Sequence, residues 1–145
     1  MYGVDTFIVE PERFSSRAEW AKKLLANVLY HQPDLVVLAG FMKILPKEFV
    51  EPLKGKLINT HPSMLPNFPG AHAVRDALTA RAKVTGVTIH KVDEGVDTGE
   101  ILVQQEVPIE PNDTEDSLHE RIKVSERELL VKTVEDIALK KIVLV

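Results

Sequence analysis

The sequence contains no cysteine, and it also lacks the motifs that indicate metal binding or a serine nucleophile. Without cysteine there is no disulfide bond, no thiolate nucleophile and no zinc site built on thiolate ligands. The histidines show no HExxH or comparable ligand spacing, so no metal site is predicted. Ser63 stands in neither a G-x-S-x-G elbow nor a Ser-His-Asp pattern, so a serine hydrolase is not expected.

An excess of positive charge is also lacking. The 145 residues include 18 Lys and Arg against 22 Asp and Glu, which gives a formal net charge of −4. A mildly acidic chain carries no electrostatic footprint for nucleic acid, so no nucleic-acid partner is expected. The start shows no basic segment followed by an apolar run, and no apolar stretch has the length that spans a bilayer. We therefore expect no membrane association and a cytoplasmic location.

The chain does contain an alternation of strand-like and helix-like segments, which is typical of an α/β domain. Residues 35–39 are apolar throughout, as in a strand that is buried on both faces of a parallel sheet. We predict a single domain over residues 1–145, with an open, mostly parallel sheet and helices on both faces. Strands are expected at residues 3–9, 35–39, from 57, 84–92 and 101–107, and helices at residues 16–32, 47–53, 73–82 and 113–139.

The strongest functional signal is the run Asn59-Thr60-His61-Pro62-Ser63, where a predicted strand meets a proline-rich loop. In open α/β sheets, ligands bind beyond the carboxyl ends of the strands. Asn59 and His61 are two residues apart on a strand and should point to the same side. An amide and an imidazole placed in this way can polarise one carbonyl oxygen. On this motif alone, the alternative that both side chains only cap a turn stays open.

The second signal is an acidic loop that contains two glycines, residues 93–99. The functional interpretation is that one carboxylate of this loop reaches His61 and orients the imidazole. The spacing does not choose between Asp93, Glu94 and Asp97. The alternative is a solvated turn without a role in chemistry.

The remaining histidines give weaker indications. His31, His72 and His119 fall on the ends or faces of predicted helices, and we expect them to face solvent or to cap a helix. His90 lies within a predicted strand, where it is either a hydrogen-bonded structural residue or a support for the site.

Several spaced blocks resemble the signature of the 10-formyltetrahydrofolate formyltransferase family. The blocks occur in the family's order, and the resemblance runs from about residue 4 to about residue 139. It implies that Asn59, His61 and Asp97 are the catalytic asparagine, histidine and aspartate. The blocks are residues 40–45 (GFMKIL), 58–66 (INTHPSMLP), 68–70 (FPG), 88–92 (TIHKV) and 97–99 (DTG).

The resemblance also assigns residues to ligand binding. Arg17 matches a basic residue that meets the glutamate tail of the folate. Lys123 and Glu126 fall where family members contact a ribonucleotide substrate. Besides Asn59, the residues implied to line the folate pocket, largely through backbone groups, are Met42, Lys43, Ile44 and Leu45.

The activity that the resemblance implies is transfer of a formyl group from 10-formyltetrahydrofolate, a cosubstrate, to the amine of glycinamide ribonucleotide in de novo purine synthesis. A methionyl-tRNA formyltransferase fits less well, because such enzymes carry a basic surface and a further carboxyl-terminal domain. A formyltetrahydrofolate deformylase has a second histidine directly after the catalytic one, whereas Pro62 follows His61 here. The alternative from a different class is a folate-binding module without turnover.

One feature of the family has no counterpart in this sequence. Family members begin with a strand and a glycine-rich loop that cradles the ribonucleotide phosphate, but no G-x-G occurs here. The resemblance implies that the chain starts after about two βα units and is incomplete at its amino terminus, so weak ribonucleotide binding is expected. The apolar strand at residues 35–39 would then have an uncovered edge. We expect residues 3–9 to pair with that edge, or self-association to cover it.

Overall fold

The computed structural model describes residues 2–145, and in them a mixed, open sheet of four strands. In sheet order these are β1 (Val36–Leu38), β2 (Leu57–His61), β3 (Val84–Lys91) and β4 (Ile101–Pro108). β1 and β2 are parallel, while β2–β3 and β3–β4 are antiparallel. The α/β open sheet is therefore confirmed, but within these residues it is not mostly parallel. β3 and β4 are antiparallel because the loop that joins them is short and contains no helix, whereas a parallel pair needs a longer crossover connection.

Four α-helices accompany the strands in residues 2–145: α1 (Arg17–Tyr30), α2 (Lys47–Val50), α3 (Ala73–Thr79) and α4 (Glu115–Ala138). Short 3₁₀ turns occupy Pro11–Arg13 and Glu51–Leu53. None of the helices described here combines the length and the apolar character that crossing a bilayer requires.

Side-chain caps fix the starts of the two long helices. Ser16 is the N-cap of α1, and its hydroxyl accepts a hydrogen bond from the Glu19 backbone N–H at 3.1 Å. This agrees with the helix expected from residue 16. The reciprocal half of a capping box is missing, because the Glu19 carboxylate accepts from Ser15 instead. At the start of α4, Thr114 and Ser117 form both halves of a capping box.

The helices cover both faces of the sheet. On one face, Leu57 packs in a buried cluster with residues of α1 and α2, such as Trp20 and Phe49. On the other face, Val87 packs in a second buried cluster that includes Leu118 of α4. Leu57 and His61 share a face because they are four residues apart on β2. Thr88 lies opposite His61 in the ladder, so its neighbour Val87 points to the reverse face.

The strand predicted at residues 3–9 is wrong. This segment is irregular and mostly exposed, and Gly3 has a φ of +63°. The Trp20 indole N–H donates to the Val9 carbonyl at 2.9 Å, and Val9 packs against the core. The segment does not pair with β1. Within residues 2–145, β1 pairs with β2 alone and its residues are only half-buried, because it lies at the sheet edge. The expectation of a strand buried on both faces at residues 35–39 is therefore also wrong.

Candidate active site

The sheet register places the predicted site residues in two adjacent rows on one face. Asn59 of β2 lies opposite His90 of β3, and His61 lies opposite Thr88. Directly opposed residues of an antiparallel pair share a face, so these four side chains are close neighbours. The prediction that Asn59 and His61 point to the same side is confirmed by the contacts that follow.

The rows open onto a cleft with a volume of about 920 Å³. Its walls come from the loop after β1, the carboxyl end of β2, the loop between β3 and β4, and one face of α4. A concave site of this size, bounded by several elements, is typical of small-molecule binding. The cleft brings together nine of the ten residues assigned above, which are Met42, Lys43, Ile44, Leu45, Asn59, His61, Asp97, Lys123 and Glu126.

The Asp97 carboxylate joins three parts of the site. Its Oδ2 accepts a hydrogen bond from the Gly70 backbone N–H at 2.8 Å and lies 3.4 Å from His61 Nδ1. Its Oδ1 lies 3.6 Å from His90 Nε2, and the side chain is only 11% exposed. The Asp97 backbone has a φ of +54°, a left-handed conformation that non-glycine residues rarely adopt. Such conformations are concentrated at functional sites, where the surroundings hold them.

The structure distinguishes the three acidic residues that the spacing left open. Asp93 closes its own loop, because its Oδ1 accepts hydrogen bonds from the Gly95 N–H and the Thr98 hydroxyl at 2.9 and 2.6 Å. Glu94 is exposed and pairs with Lys47 at 3.4 Å. Of the three, Asp97 is the residue whose carboxylate reaches His61. The expected convergence of Asn59, His61 and Asp97 is thereby confirmed, while their catalytic roles stay predictions.

Both ring nitrogens of His61 face acceptors in the protein. Nε2 lies 2.8 Å from the Phe68 carbonyl oxygen, and since a carbonyl can only accept, Nε2 carries a hydrogen and donates it. Nδ1 faces Asp97 at the longer distance of 3.4 Å. The residue is buried, with 4% of its surface exposed. The loop after β2 and the loop after β3 together therefore fix the plane of the imidazole.

His90 orients the amide of Asn59. The His90 Nδ1 lies 2.7 Å from the Lys91 carbonyl oxygen and so donates to it, which leaves Nε2 as an acceptor in the neutral ring. Asn59 Nδ2 lies 3.3 Å from that nitrogen and donates one of its two amide hydrogens. The second amide hydrogen remains available to an oxygen in the cleft. His90 is thus hydrogen-bonded, as the first of the two interpretations states, while its support of the site stays a prediction.

The loop after β1 presents apolar side chains to the cleft. It begins at Gly40, whose φ of +66° suits glycine and turns the chain away from the strand. Met42 and Ile44 are 72% and 60% exposed, although both are large and apolar. The base of the loop is anchored, because Leu45 is buried and the Phe41 ring stacks on Trp20 with 6.3 Å between centroids. Exposed apolar groups on an anchored loop indicate a ligand-binding wall.

One face of α4 forms the opposite wall. Lys123 Nζ donates to the Glu120 carboxylate at 2.7 Å, and this hydrogen bond lowers the pKa of Glu120. Arg127 Nε donates to the Lys123 carbonyl at 3.2 Å. Two cleft residues, His119 and Arg127, were missed by the sequence analysis. His119 is exposed as expected, but it faces the cleft. His119 and Arg127 each lie four residues from Lys123, so all three share one face of the helix. This spacing is the sequence signal that could have identified His119 and Arg127 as cleft residues.

The remaining candidates lie away from the cleft. Arg17 is the first residue of α1 and is exposed, and the structure does not bring it to the cleft lining. His31 caps the carboxyl end of α1 and stacks on Phe7 with 5.6 Å between ring centroids. His72 occupies the cap position before α3 without a side-chain capping bond.

Comparison with known proteins gives consistent similarities. A model of the formyl transferase family matches residues 2–134. The phosphoribosylglycinamide formyltransferase of Mycobacterium tuberculosis is 51% identical over 135 residues, which cover 93% of this chain and 63% of that protein. The chain thus spans less than two thirds of that relative's length.

Solved structures give the same result. The crystal structure of phosphoribosylglycinamide formyltransferase from Streptococcus pneumoniae matches with a TM-score of 0.84 at 41% identity, over 88% of this chain and 71% of that one. Glycinamide ribonucleotide transformylase 1 from Symbiobacterium toebii matches with a TM-score of 0.87 at 34% identity, over 90% and 62%. The α/β fold with helices on both faces is therefore shared with these structures.

Proposed function

The chain belongs to the formyl transferase family, and we propose that it transfers the formyl group of 10-formyltetrahydrofolate to the amine of glycinamide ribonucleotide in de novo purine synthesis. Residues 1–145 would form a single catalytic domain of that enzyme. The observation that carries the proposal is the convergence of Asn59, His61 and Asp97 at one cleft. The relatives with which this chain aligns over most of its length are named for the same reaction.

The folate cosubstrate would bind against the loop after β1. Met42 and Ile44 offer exposed apolar surface there, and the irregular backbone of residues 41–45 leaves N–H and C=O groups to meet polar ring atoms. An apolar wall with a few convergent polar groups suits a flat heteroaromatic ring. This placement brings the formyl end of the cosubstrate toward Asn59 and His61.

The proposed chemistry is direct acyl transfer. The amine nitrogen attacks the formyl carbon, and the carbonyl oxygen gains negative charge as the new C–N bond forms. The free amide hydrogen of Asn59 and the Nδ1–H of a protonated His61 would stabilise that oxygen. The bond from the formyl carbon to N10 of the folate then breaks, N10 takes up a proton, and the amine gives up one. A donor of this kind typically contributes about 10²–10³ in rate.

The geometry of His61 indicates which nitrogen would serve. Nε2 is committed to the Phe68 carbonyl at 2.8 Å, whereas the contact of Nδ1 with Asp97 is long, at 3.4 Å. Because Nε2 already carries its hydrogen, Nδ1 donates only when the imidazole is protonated, and in that form it can donate to a substrate oxygen or a water molecule in place of Asp97. Asp97 would keep that side of the ring oriented and would balance positive charge on the imidazole.

The ribonucleotide would lie against α4. Glu126 is half-buried and offers a carboxylate to ribose hydroxyls, while Lys123 and Arg127 supply positive charge on the same helical face. A sugar in the cleft would then contact residues of α4 as well as Asn59 and His61. The substrate amine would then face the formyl group.

Formyl transfer by the purified chain tests the proposal. With 10-formyltetrahydrofolate and glycinamide ribonucleotide, the absorbance change of the folate should appear for the wild-type chain and disappear for His61→Ala. Formylation of methionyl-tRNA instead, or hydrolysis of the folate without an amine, would assign the site to another activity of the family. Folate binding without any turnover would contradict the proposal and favour a folate-binding module.

A further inference from the structure

The line that His61 and Thr88 form across the sheet continues to a third residue, Gln104 of β4. Thr88 lies opposite His61 in the β2–β3 ladder, and Gln104 lies opposite Thr88 in the β3–β4 ladder. All three side chains therefore share the face of the cleft. Gln104 is two strands away from His61 and does not line the cleft. We propose that Gln104 is a positioning residue that holds His61 in place through Thr88 and the loop after β2, an inference that rests on the proposed function.

The amide of Gln104 uses both of its hydrogens. Nε2 donates to the Leu65 carbonyl at 2.8 Å and to the Thr88 hydroxyl at 2.9 Å. The Thr88 hydroxyl also accepts from the Leu65 N–H at 3.1 Å and donates its single hydrogen to the Ser63 carbonyl at 2.7 Å. A hydroxyl has one hydrogen and two lone pairs, so the bonding capacity of Thr88 is filled. The donation from Gln104 therefore fixes the direction of the Thr88 hydrogen toward Ser63.

The loop that this network holds carries the acceptor of His61. Residues 63–68 form a turn in which the Asn67 N–H donates to the Met64 carbonyl at 3.0 Å. The Ser63 hydroxyl donates to the Asn67 carbonyl at 2.6 Å and lies 3.3 Å from the Phe68 carbonyl. The Phe68 carbonyl in turn accepts from His61 Nε2. The base of the turn is thus bound to Thr88 and Gln104, and its far end is bound to the imidazole.

The polarity of Gln104 matters more than its volume in this arrangement. A glutamate at this position would place an acceptor against the Leu65 carbonyl and would draw the Thr88 hydrogen away from Ser63. A methionine would keep the length of the side chain but would donate to neither group. Either change leaves the Leu65 carbonyl without the hydrogen bond that Gln104 donates. Because an unpaired buried acceptor costs free energy, we expect the loop after β2 to move until this group regains a partner. A displacement of about 1 Å in a supporting loop can lower a rate on the order of 100-fold.

Two variants and one neighbouring control test the proposal. Gln104→Met and Gln104→Glu remove the two donated bonds, the first without adding a charge. Gln105→Glu adds a charge one residue further along the same strand, but Gln105 is exposed and points to the other face. We expect the kcat of formyl transfer to fall tenfold or more in both Gln104 variants. The KM for the folate should stay within about twofold of wild type, because the loop after β1 is untouched. Gln105→Glu should match the wild type.

Proton NMR of the 145-residue chain gives a readout that does not depend on activity. The Nε2 hydrogen of His61 is buried and bonded to a carbonyl, so it should exchange slowly and resonate downfield, and its assignment follows from its absence in His61→Gln. In the Gln104 variants it should shift or disappear, while the Nδ1 hydrogen of His90, bonded to Lys91, stays unchanged. If the His61 signal is unaffected in Gln104→Met, the proposal is overturned, even if the rate falls. A wild-type chain without transfer activity would refute the proposed function, and the His61 signal would still decide the role of Gln104.

Discussion

Replacing Asp97 with asparagine removes a negative charge from the site and keeps the shape of the side chain. The asparagine oxygen can still accept a hydrogen bond from the Gly70 N–H, as Asp97 Oδ2 does at 2.8 Å in the wild type. The amide nitrogen then takes the position that faces His90 Nε2, where it competes with Asn59 for the same acceptor. We therefore expect a folded protein whose His61 has lost its counter-charge and whose Asn59 amide is less firmly oriented.

The size of the effect follows from the distance between the charges. A carboxylate and an imidazolium 3.4 Å apart attract by roughly 5 kcal/mol at an effective dielectric constant of about 20. Desolvation and the neutral hydrogen bond that asparagine retains offset part of that attraction. A net loss of roughly 3–4 kcal/mol in the transition state corresponds to a rate reduced on the order of 10²–10³-fold. The fall should appear in kcat more than in folate affinity, because residues 42–45, which we propose to bind the folate, are unchanged.

The assay compares initial rates of formyl transfer with folate affinity measured by calorimetry. Glu94→Gln is the matched control, since it removes the same charge from the same loop, and Glu94 is exposed and bonded only to Lys47 among the described ion pairs of residues 2–145. The control should retain nearly the wild-type rate. A rate for Asp97→Asn within about threefold of wild type, or an equal loss in Glu94→Gln, would show that the Asp97 charge does not assist formyl transfer.

Three further predictions concern the imidazole, the cap of α4 and the core. His61→Ala should abolish formyl transfer almost completely while folate binding in calorimetry stays nearly unchanged, whereas His31→Ala, remote from the cleft, should have little effect. Hydrogen bonds from Arg121 hold the pKa of the Asp113 carboxyl well below its ordinary value of 3.8, so the stabilisation is present above that value and is lost as the pH falls below it. The melting temperature of Asp113→Asn should therefore be lower than that of wild type by an amount that is constant from neutral pH to about pH 5 and shrinks below about pH 4. Phe49→Ala should lower the free energy of unfolding by about 3–5 kcal/mol in urea titrations, because its ring is 2% exposed in the core; a loss below about 1 kcal/mol would contradict that packing.

The strands and helices with a strong local signal were predictable. The expected bounds of β3, β4, α1 and α4 lie within a few residues of the observed ones, and a side-chain cap marks the start of both long helices. The segment at residues 3–9 was not predictable in the same way. Its β-branched and aromatic residues favour a strand, but a strand also needs a partner, and in the structure this segment has none.

The site was predictable as a set of motifs but not as a geometry. The Asn59–His61 spacing correctly placed both side chains on one face, because alternation along a strand is a local property. The choice of Asp97 over Asp93 and Glu94 required the fold of the loop, including the close approach of Gly99 to Lys91, where a Cβ would lie 1.7 Å from the carbonyl oxygen. No local pattern specifies that approach.

The direction of the sheet pairs and the role of α4 depended on packing between distant segments. The register that brings Gln104 into line with His61 joins strands far apart in sequence, and only the sheet itself defines it. His119 and Arg127 were recoverable in principle, because they share a helical face with Lys123. Which face of α4 meets the cleft was a matter of tertiary packing.

Formyl transfer by this chain is tested most directly by following the formyl carbon itself. The purified 145-residue chain is incubated with 10-formyltetrahydrofolate labelled with carbon-13 at the formyl group and with glycinamide ribonucleotide, and the label is followed by NMR. We expect the formyl resonance to move from the folate to the ribonucleotide amine with the wild-type chain and to stay on the folate with His61→Ala. A label that stays on the folate with both proteins, or that moves equally fast with both, would contradict this expectation.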